Sequence, residues 1–132
     1  MTTQRPPLSR AELEMARIVW DLGEATVRQV FERLPAEREL DFKTVQTYLR
    51  RLEAKGYLRT HREGRSKVYR PRVQPDQVVR ETVSDFVDRL FDGELLPLVQ
   101  HLVEDRGIEE DEIRQLRALL DRLEAEHESR RQ

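Results

Sequence analysis

Near residue 57 the spacing of apolar residues changes from a helical period to an alternating one. Over the first 56 residues, apolar side chains recur at steps of three and four in three successive stretches. Beyond that point, the short runs 57–62 and 67–70 carry Tyr, Thr and Val, with Gly64 between them, which is typical of a hairpin. Three helices followed by a hairpin form the order of a winged helix-turn-helix, in which the hairpin is the wing.

Local capping signals predict where the first helices begin and end. Ser9 with Glu12, and Thr26 with Gln29, have the spacing of a capping box, so helices should start at about residues 10 and 27. Gly23 is suited to end the first of them. The side chains predicted to face the core are Leu13, Ala16, Val19, Trp20, Val27, Val30, Phe31, Leu34, Phe42, Val45, Tyr48, Leu49 and Leu52.

The formal net charge of −2 hides an uneven distribution of charge along the 132 residues. Residues 1–75 carry 16 Lys and Arg against 10 Asp and Glu, whereas residues 76–132 carry 8 against 16. Between residues 43 and 72 there are ten basic side chains and two acidic ones. So large a local excess indicates a surface that binds a polyanion such as nucleic acid.

The third helix carries side chains suited to a DNA groove. At about 100° per residue, Lys43, Thr47 and Arg50 project away from its apolar face. Cations of this kind hold phosphates, and Lys, Arg, Gln and Thr reach base edges in the major groove. A merely solvated face is the alternative, but the scarcity of acidic residues favours DNA. The residues predicted to contact DNA are Lys43, Thr44, Gln46, Thr47, Arg50 and Arg51 on the helix, with Arg62, Arg65 and Lys67 on the wing.

The second half of the chain has its own apolar pattern, which predicts three further helices. Its apolar residues repeat with coiled-coil-like spacing, and so short a segment builds only a marginal core. Pairing with a second copy is the simplest way to bury them; folding back onto the first half is the alternative. We predict a DNA-binding domain over 1–73 and a helical dimerisation domain over 74–132. The predicted dimer contacts are Val79, Val83, Phe86, Leu90, Leu95, Val99, Leu102, Ile113, Leu116, Leu120 and Leu123.

The sequence contains no motif typical of catalysis, metal binding or membrane insertion. There is no cysteine, and His61, His101 and His127 lie far apart, so we expect no enzymatic activity, no metal and no cofactor. No apolar run approaches the ~18 residues of a membrane span, and no secretion signal is recognisable at the start. We therefore expect a cytoplasmic protein.

Residues 44–56 resemble the recognition helix of the penicillinase-repressor family, also called BlaI/MecI/CopY. They match its pattern Thr-Val-x-Thr-x-Leu-x-Arg-Leu-x-x-Lys-Gly. Further similarity lies at 8–20, 25–27, 64–71 and 90–93, so the resemblance covers nearly the whole chain. It implies a homodimeric repressor of inverted-repeat operators of the TACA/TGTA type. By position it implies DNA contacts at Lys43, Thr44, Gln46, Thr47 and Arg51, with wing support from Arg65 and Lys67. Phe42 departs from the small or polar residue of many relatives.

The resemblance also bears on induction. In the antibiotic-resistance branch, a membrane sensor-protease leads to cleavage of the repressor, in a region corresponding here to the surroundings of His101 and Leu102. The copper-sensing branch has a Cys-rich metal site, which this cysteine-free chain cannot form.

We therefore interpret the chain as a mainly α protein, an N-terminal winged helix-turn-helix followed by a three-helix C-terminal dimerisation region. Its expected function is transcriptional repression, with double-stranded operator DNA and a second copy of itself as partners. The alternative is a winged-helix protein-protein interaction module, whose basic face docks an acidic protein without sequence-specific DNA binding.

Overall fold

The computed structural model describes residues 5–131, and these form a mainly helical chain with one small antiparallel hairpin. This architecture confirms the predicted fold class. The elements are α1 (Arg10–Leu22), α2 (Val27–Arg33), a short 3-10 turn (Ala36–Arg38), α3 (Phe42–Ala54), β1 (Leu58–Glu63), β2 (Ser66–Pro71), α4 (Pro75–Phe91), α5 (Leu95–Arg106) and α6 (Glu110–Arg131).

Both predicted capping boxes are present. The Ser9 hydroxyl accepts the Glu12 N–H at 3.1 Å, while the Glu12 carboxylate accepts the Ser9 N–H at 2.8 Å. The equivalent bonds between Thr26 and Gln29 are 3.2 and 2.8 Å long. Each box satisfies two backbone donors that the first turn of a helix leaves without partners. At the other end of α1, Gly23 has φ +85° and donates its N–H to the Trp20 carbonyl.

Asp41 supplies the cap for α3, a role that the sequence interpretation did not assign to it. Its carboxylate accepts the Thr44 N–H at 2.8 Å. This hydrogen bond favours the charged carboxylate and so lowers the pKa of Asp41. The negative charge also lies at the positive end of the helix dipole. Asp41 therefore fixes the first residue of the helix that carries most of the predicted DNA contacts.

The core lies between the first three helices and the hairpin. Most residues predicted to face inward are buried or half-buried, and Val45, Leu49 and Leu52 of α3 are fully buried. Within α1, two buried positions are absent from the predicted set: Met15, which is also fully buried, and Glu12, which is 2% exposed. The members of the buried apolar cluster are Met15, Ala16, Val19, Ala25, Val30, Val45, Leu49, Leu52, Tyr57, Leu58, Tyr69, Val73 and Val78.

A short backbone pairing ties the hairpin to the segment between α1 and α2. Ala25 and Tyr69 exchange two hydrogen bonds, each 2.8 Å long. This isolated bridge extends the β1-β2 hairpin by one residue of a third strand. The wing is therefore anchored by backbone bonds to the helix-turn-helix as well as by the buried ring of Tyr69.

The chain divides into two compact units, residues 1–85 and 86–132, and this division falls inside α4. The sequence predicted a domain boundary after residue 73. Pro75 is the first residue of α4, a position that tolerates proline because its missing N–H needs no partner. Val78 is buried in the core, and Arg5 forms a 2.6 Å ion pair with Glu81, which explains why the first unit includes the start of α4. Independent folding of 1–73 stays a prediction.

The C-terminal part differs from the first unit in how much of its side-chain surface is buried. None of the described residues from 79 to 131 is buried. Within the second unit, the Phe91 ring lies 6.0 Å from Phe86 and 5.9 Å from His101, measured between centroids.

Among residues 5–131, no helix has the length and apolar character needed to cross a membrane.

Candidate nucleic-acid interface

The side of α3 opposite its buried residues is open to solvent. Lys43, Thr47 and Arg50 are all exposed, as the helical spacing predicts, while Thr44 and Gln46 at the edges are half-buried. Because Val45, Leu49 and Leu52 hold the other side of α3 in the core, the orientation of this polar face is fixed by packing. The six helix residues predicted to contact DNA are therefore displayed on a rigid element.

Thr47 already uses its hydroxyl within the helix. The Oγ1 donates a hydrogen bond to the Lys43 carbonyl at 3.1 Å. Thr47 is exposed, and this common arrangement for threonine leaves its oxygen with free acceptor capacity. Thr47 can therefore offer an apolar contact to a thymine methyl as well as an acceptor to a base amino group.

The Arg51 guanidinium lies 5.6 Å from the centre of the Tyr48 ring. At this distance the ring face attracts the cation and restricts its motion. Arg51 is exposed and lies next to Arg50, so two cations project from the same turn of α3. Arg51 is held by an aromatic neighbour on its own helix, which would reduce the entropy lost on binding an anion.

The tip of the wing displays two arginines on a tight turn. Gly64 adopts φ +60°, the left-handed conformation that favours glycine. Arg62 and Arg65 are exposed on either side of it, and an Arg62 guanidinium nitrogen donates to the Arg65 carbonyl at 3.4 Å. No ion pair involving either arginine forms within the described part of the chain. Both cations are therefore available to an external anion.

Lys67 differs from the two arginines because it connects the wing to α3. Its Nζ lies 3.4 Å from Oε1 of Glu53 and 5.1 Å from the centre of the Tyr69 ring. The second oxygen of Glu53 accepts a 2.8 Å hydrogen bond from the Thr60 hydroxyl. Glu53 thus joins α3 to both strands, and Lys67 is partly neutralised. Lys67 therefore helps to hold the wing against α3.

Lys55 is also withdrawn from the basic surface. It donates a 2.6 Å hydrogen bond to the nearly buried Glu12 and a 2.9 Å bond to the Pro7 carbonyl. Burial alone would raise the pKa of Glu12, but the bonds from Lys55 and Ser9 outweigh it and lower that pKa. Two of the ten cations counted between residues 43 and 72 thus have structural partners, and local charge counts overstate what is available to DNA.

One cation beside α3 was not predicted as a site residue. The Arg28 guanidinium lies 5.0 Å from the centre of the Phe42 ring, and Phe42 meets Phe31 edge-on at 5.8 Å between ring centres. Phe42 is therefore a packing residue. Its ring also holds the exposed Arg28 side chain of α2 next to the start of α3. The sequence signal was the aromatic residue at the first position of the helix.

The predicted dimer contacts are almost all exposed in a single chain. Only Val99 among them is half-buried, while Leu90 and Leu95 reach 64% and 66% exposure. Leu96 and Leu119, which were not predicted, are exposed at 65% and 40%. The remaining exposed members are Val79, Val83, Phe86, Leu102, Ile113, Leu116, Leu120 and Leu123.

Comparison with known proteins gives a consistent result. The profile of the penicillinase repressor family matches residues 8–122. A penicillinase repressor of Bacillus licheniformis is 31% identical over 126 residues, covering 96% of this chain and 95% of the relative. The methicillin resistance regulatory protein MecI of Mammaliicoccus sciuri is 27% identical over 115 residues, covering 87% of this chain and 94% of the relative.

Two solved structures are also similar. A CopR repressor structure is 43% identical and covers 52% of this chain and 100% of its own, with a TM-score of 0.46. The DNA-binding domain of the repressor BlaI is 36% identical and covers 57% of this chain and 90% of its own, with a TM-score of 0.49. On the strength of the profile match over residues 8–122 and the nearly full-length relatives, this chain belongs to the penicillinase repressor family.

Proposed function

We propose that this DNA-binding transcriptional repressor acts as a homodimer on an inverted-repeat operator of the TACA/TGTA type, and that it blocks access to the promoter. The observation that carries the proposal is the polar and cationic face of α3, held outward by a buried face on the same helix. The alternative, a protein interaction module without DNA specificity, is not favoured, because the chain belongs to a family of repressors.

The two DNA-facing elements have different roles in this proposal. Gln46 and Thr47 have the short polar side chains that distinguish bases in the major groove. Arg50, Arg51 and the wing tip supply cations that neutralise phosphates regardless of sequence. The packing of α3 supports this division, because a helix fixed by its buried face can hold base-reading groups in one register.

Dimerisation is supported by the exposed apolar residues of the C-terminal part. Twelve large hydrophobic side chains between residues 79 and 123 are at least 36% exposed, and none of the described residues from 79 to 131 is buried. So much exposed apolar surface on a monomer is unfavourable in water and is typical of residues that form a subunit interface. A twofold dimer presents two copies of α3 to the same DNA, which matches an operator with inverted half-sites.

The proposal extends to induction by a membrane sensor-protease. His101 and Leu102 are exposed on α5, as a cleavage region must be. Cutting there would divide the apolar surface that the dimer needs, and would weaken operator binding by removing the second half-site contact. Mass spectrometry of the protein from induced and uninduced cells would test this, since induction should produce fragments that end near these two residues.

The central experiment compares operator DNA with a scrambled control. The full chain is titrated at fixed salt against a labelled duplex from its own upstream promoter and against a duplex of the same composition in shuffled order. We expect the promoter to bind on the order of 10³-fold more tightly or better, the range of specific repressors. Equal binding to both duplexes would contradict the repressor proposal and favour the interaction module.

A further inference from the structure

Three potential metal ligands that are distant in sequence converge on the wing. Glu24 lies just before α2, and His61 and Glu63 lie on β1. One ligand atom from each of these side chains lies within 4.8 Å of the other two. The backbone explains the convergence: residues two apart on a strand project to the same face, and the Ala25 bridge to Tyr69 brings the neighbouring Glu24 to the hairpin.

Two ligand atoms of this cluster already have the separation that ligands have around a bound metal ion. His61 Nε2 and Glu63 Oε1 are 3.4 Å apart. Tetrahedral ligands at about 2.0 Å from Zn²⁺ lie roughly 3.3 Å from one another. These two atoms therefore already have the required separation, and only the Glu24 carboxylate has to move inward.

The two carboxylates of the cluster are not neutralised by a lysine or an arginine of the described chain. Only two acidic residues lie between positions 43 and 72: Glu53, which pairs with Lys67 and Thr60, and Glu63. Over residues 5–131, neither Glu24 nor Glu63 has a Lys or Arg nitrogen within 4.0 Å. Two carboxylates thus converge in a strongly basic region without a protein cation between them.

The second imidazole nitrogen of His61 is not engaged by another residue of the described chain. The His61 Nδ1 atom is buried and has no hydrogen-bond partner within the described chain. Val68 pairs with His61 across the hairpin, and it is 4% exposed. Because paired residues project from the same face, the His61 ring lies beside the buried Val68 side chain. Such surroundings limit the access of water to one side of the cluster.

We propose that Glu24, His61 and Glu63 form a site for a divalent transition-metal ion, with Zn²⁺ as the preferred ion. One imidazole nitrogen and two carboxylate oxygens are suitable ligands, and water completes the fourth position of a tetrahedral ion. No sequence pattern indicated this site, because only the fold brings position 24 to β1.

Metal binding at this position is coupled to DNA binding. This part of the inference rests on the proposed repressor function. The ion neutralises two carboxylates next to the exposed arginines of the wing. The repulsion between these carboxylates and the DNA phosphates is then smaller. It also links β1 to the start of the helix-turn-helix. By linkage, Zn²⁺ and operator each increase the affinity of the other by the same factor, and we expect about fivefold or more.

The test uses Co²⁺ as a spectroscopic probe of the tag-free full chain. We expect one Co²⁺ per chain, with the visible absorption of four-coordinate cobalt, and displacement of the band by one equivalent of Zn²⁺. His61→Gln and Glu24→Gln should each weaken binding by more than about tenfold, since even outer-shell partners contribute 10- to 100-fold. Far-UV circular dichroism verifies that both variants fold.

His101→Gln is the matched control, because His101 also lies 3.0 Å from a carboxylate, that of Asp105, but outside the cluster. It should bind Co²⁺ like the unmodified chain. The absence of a visible band, or loss of binding in His101→Gln instead of His61→Gln, would overturn the site.

The coupling is tested separately by measuring operator affinity with Zn²⁺ and with chelator. We expect the gain from Zn²⁺ in the unmodified chain and its loss in His61→Gln. An equal effect of Zn²⁺ on both proteins would overturn the coupling and leave the site intact. If the chain binds no operator at all, the repressor proposal fails, while the Co²⁺ titration still decides whether the metal site exists.

Discussion

Lys55 Nζ lies 2.6 Å from Oε1 of Glu12, so the residue after α3 is joined to the first turn of α1. Glu12 is 2% exposed, and its carboxylate is shared between this cation and the Ser9 N–H. A nearly buried carboxylate is stabilising only when such partners offset its lost hydration. The C-terminal end of α3 is therefore tied to the first turn of α1 by a charge pair whose acidic member is nearly buried.

The Glu12 pair should make stability depend on pH. Since the folded state lowers the pKa of Glu12, its contribution is fully present above the ordinary carboxyl value of 4.5 and is lost as pH falls through the lowered value. Glu12→Gln should reduce the free energy of unfolding by about 2 kcal/mol at pH 7, and by much less at pH 3. Urea unfolding followed by circular dichroism measures both values.

Glu14→Gln is the control for that experiment. Glu14 forms a 2.8 Å pair with Arg38, but the two side chains are 32% and 40% exposed, and pairs so accessible to water contribute less than about 1 kcal/mol. An equal loss from Glu14→Gln and Glu12→Gln would show that burial of Glu12 is unimportant.

Gln46 and Thr47 should control sequence preference. Gln46→Ala or Thr47→Ala should reduce the ratio of operator to scrambled binding, at a cost of about 1–3 kcal/mol for the operator alone. Fluorescence anisotropy with both duplexes at the same salt concentration measures this ratio. An equal loss of affinity for the two duplexes would assign these residues to phosphate contacts instead.

Arg65 and Lys67 should differ in salt dependence, although both are wing cations. Arg65 is exposed without an ion-pair partner in the described chain, so Arg65→Ala should reduce the slope of log affinity against log salt by about one. Lys67 is already paired with Glu53, so Lys67→Ala should reduce it by less. Binding isotherms from low to moderate salt give both slopes. Identical slopes would mean that Lys67 leaves Glu53 when DNA binds.

Leu116 should be required for the dimer. It is 40% exposed on α6, and Leu116→Glu places a charge in the predicted contact, where it would have to be buried without a partner. Analytical ultracentrifugation should show two chains for the unmodified protein and a shift to one chain for this variant. Ala118→Glu adds the same charge on the opposite side of the helix and should leave the dimer unchanged. A single-chain mass for the unmodified protein would refute the dimer.

The features that the sequence predicted correctly are local ones. Ser9 and Thr26 cap helices through residues three positions away, and Gly64 forms a turn within its own hairpin. The exposed face of α3 follows from helical spacing alone. Interactions of this kind join residues that are close in sequence. The element order and most of the candidate DNA face could therefore be predicted from the sequence alone.

The features that were missed depend on contacts between distant segments. The bridge from Ala25 to Tyr69 and the pair of Glu12 with Lys55 have no short-range signal, because each partner has an ordinary local role. The same reason explains why Lys55 was counted among the cations of the basic region and why no metal-binding role was predicted for His61. Charge counts along a chain do not show which charges the fold neutralises.

The lack of a buried side chain among the described residues from 79 to 131 bears on how the cell sets the level of repression. If these residues are covered only by a second copy, the folded state of this half is governed by mass action, and its melting temperature rises with protein concentration. Operator occupancy then varies with the square of the monomer concentration at low copy number. A modest fall in the amount of intact protein would release the promoter sharply, without any change in the residues that touch DNA.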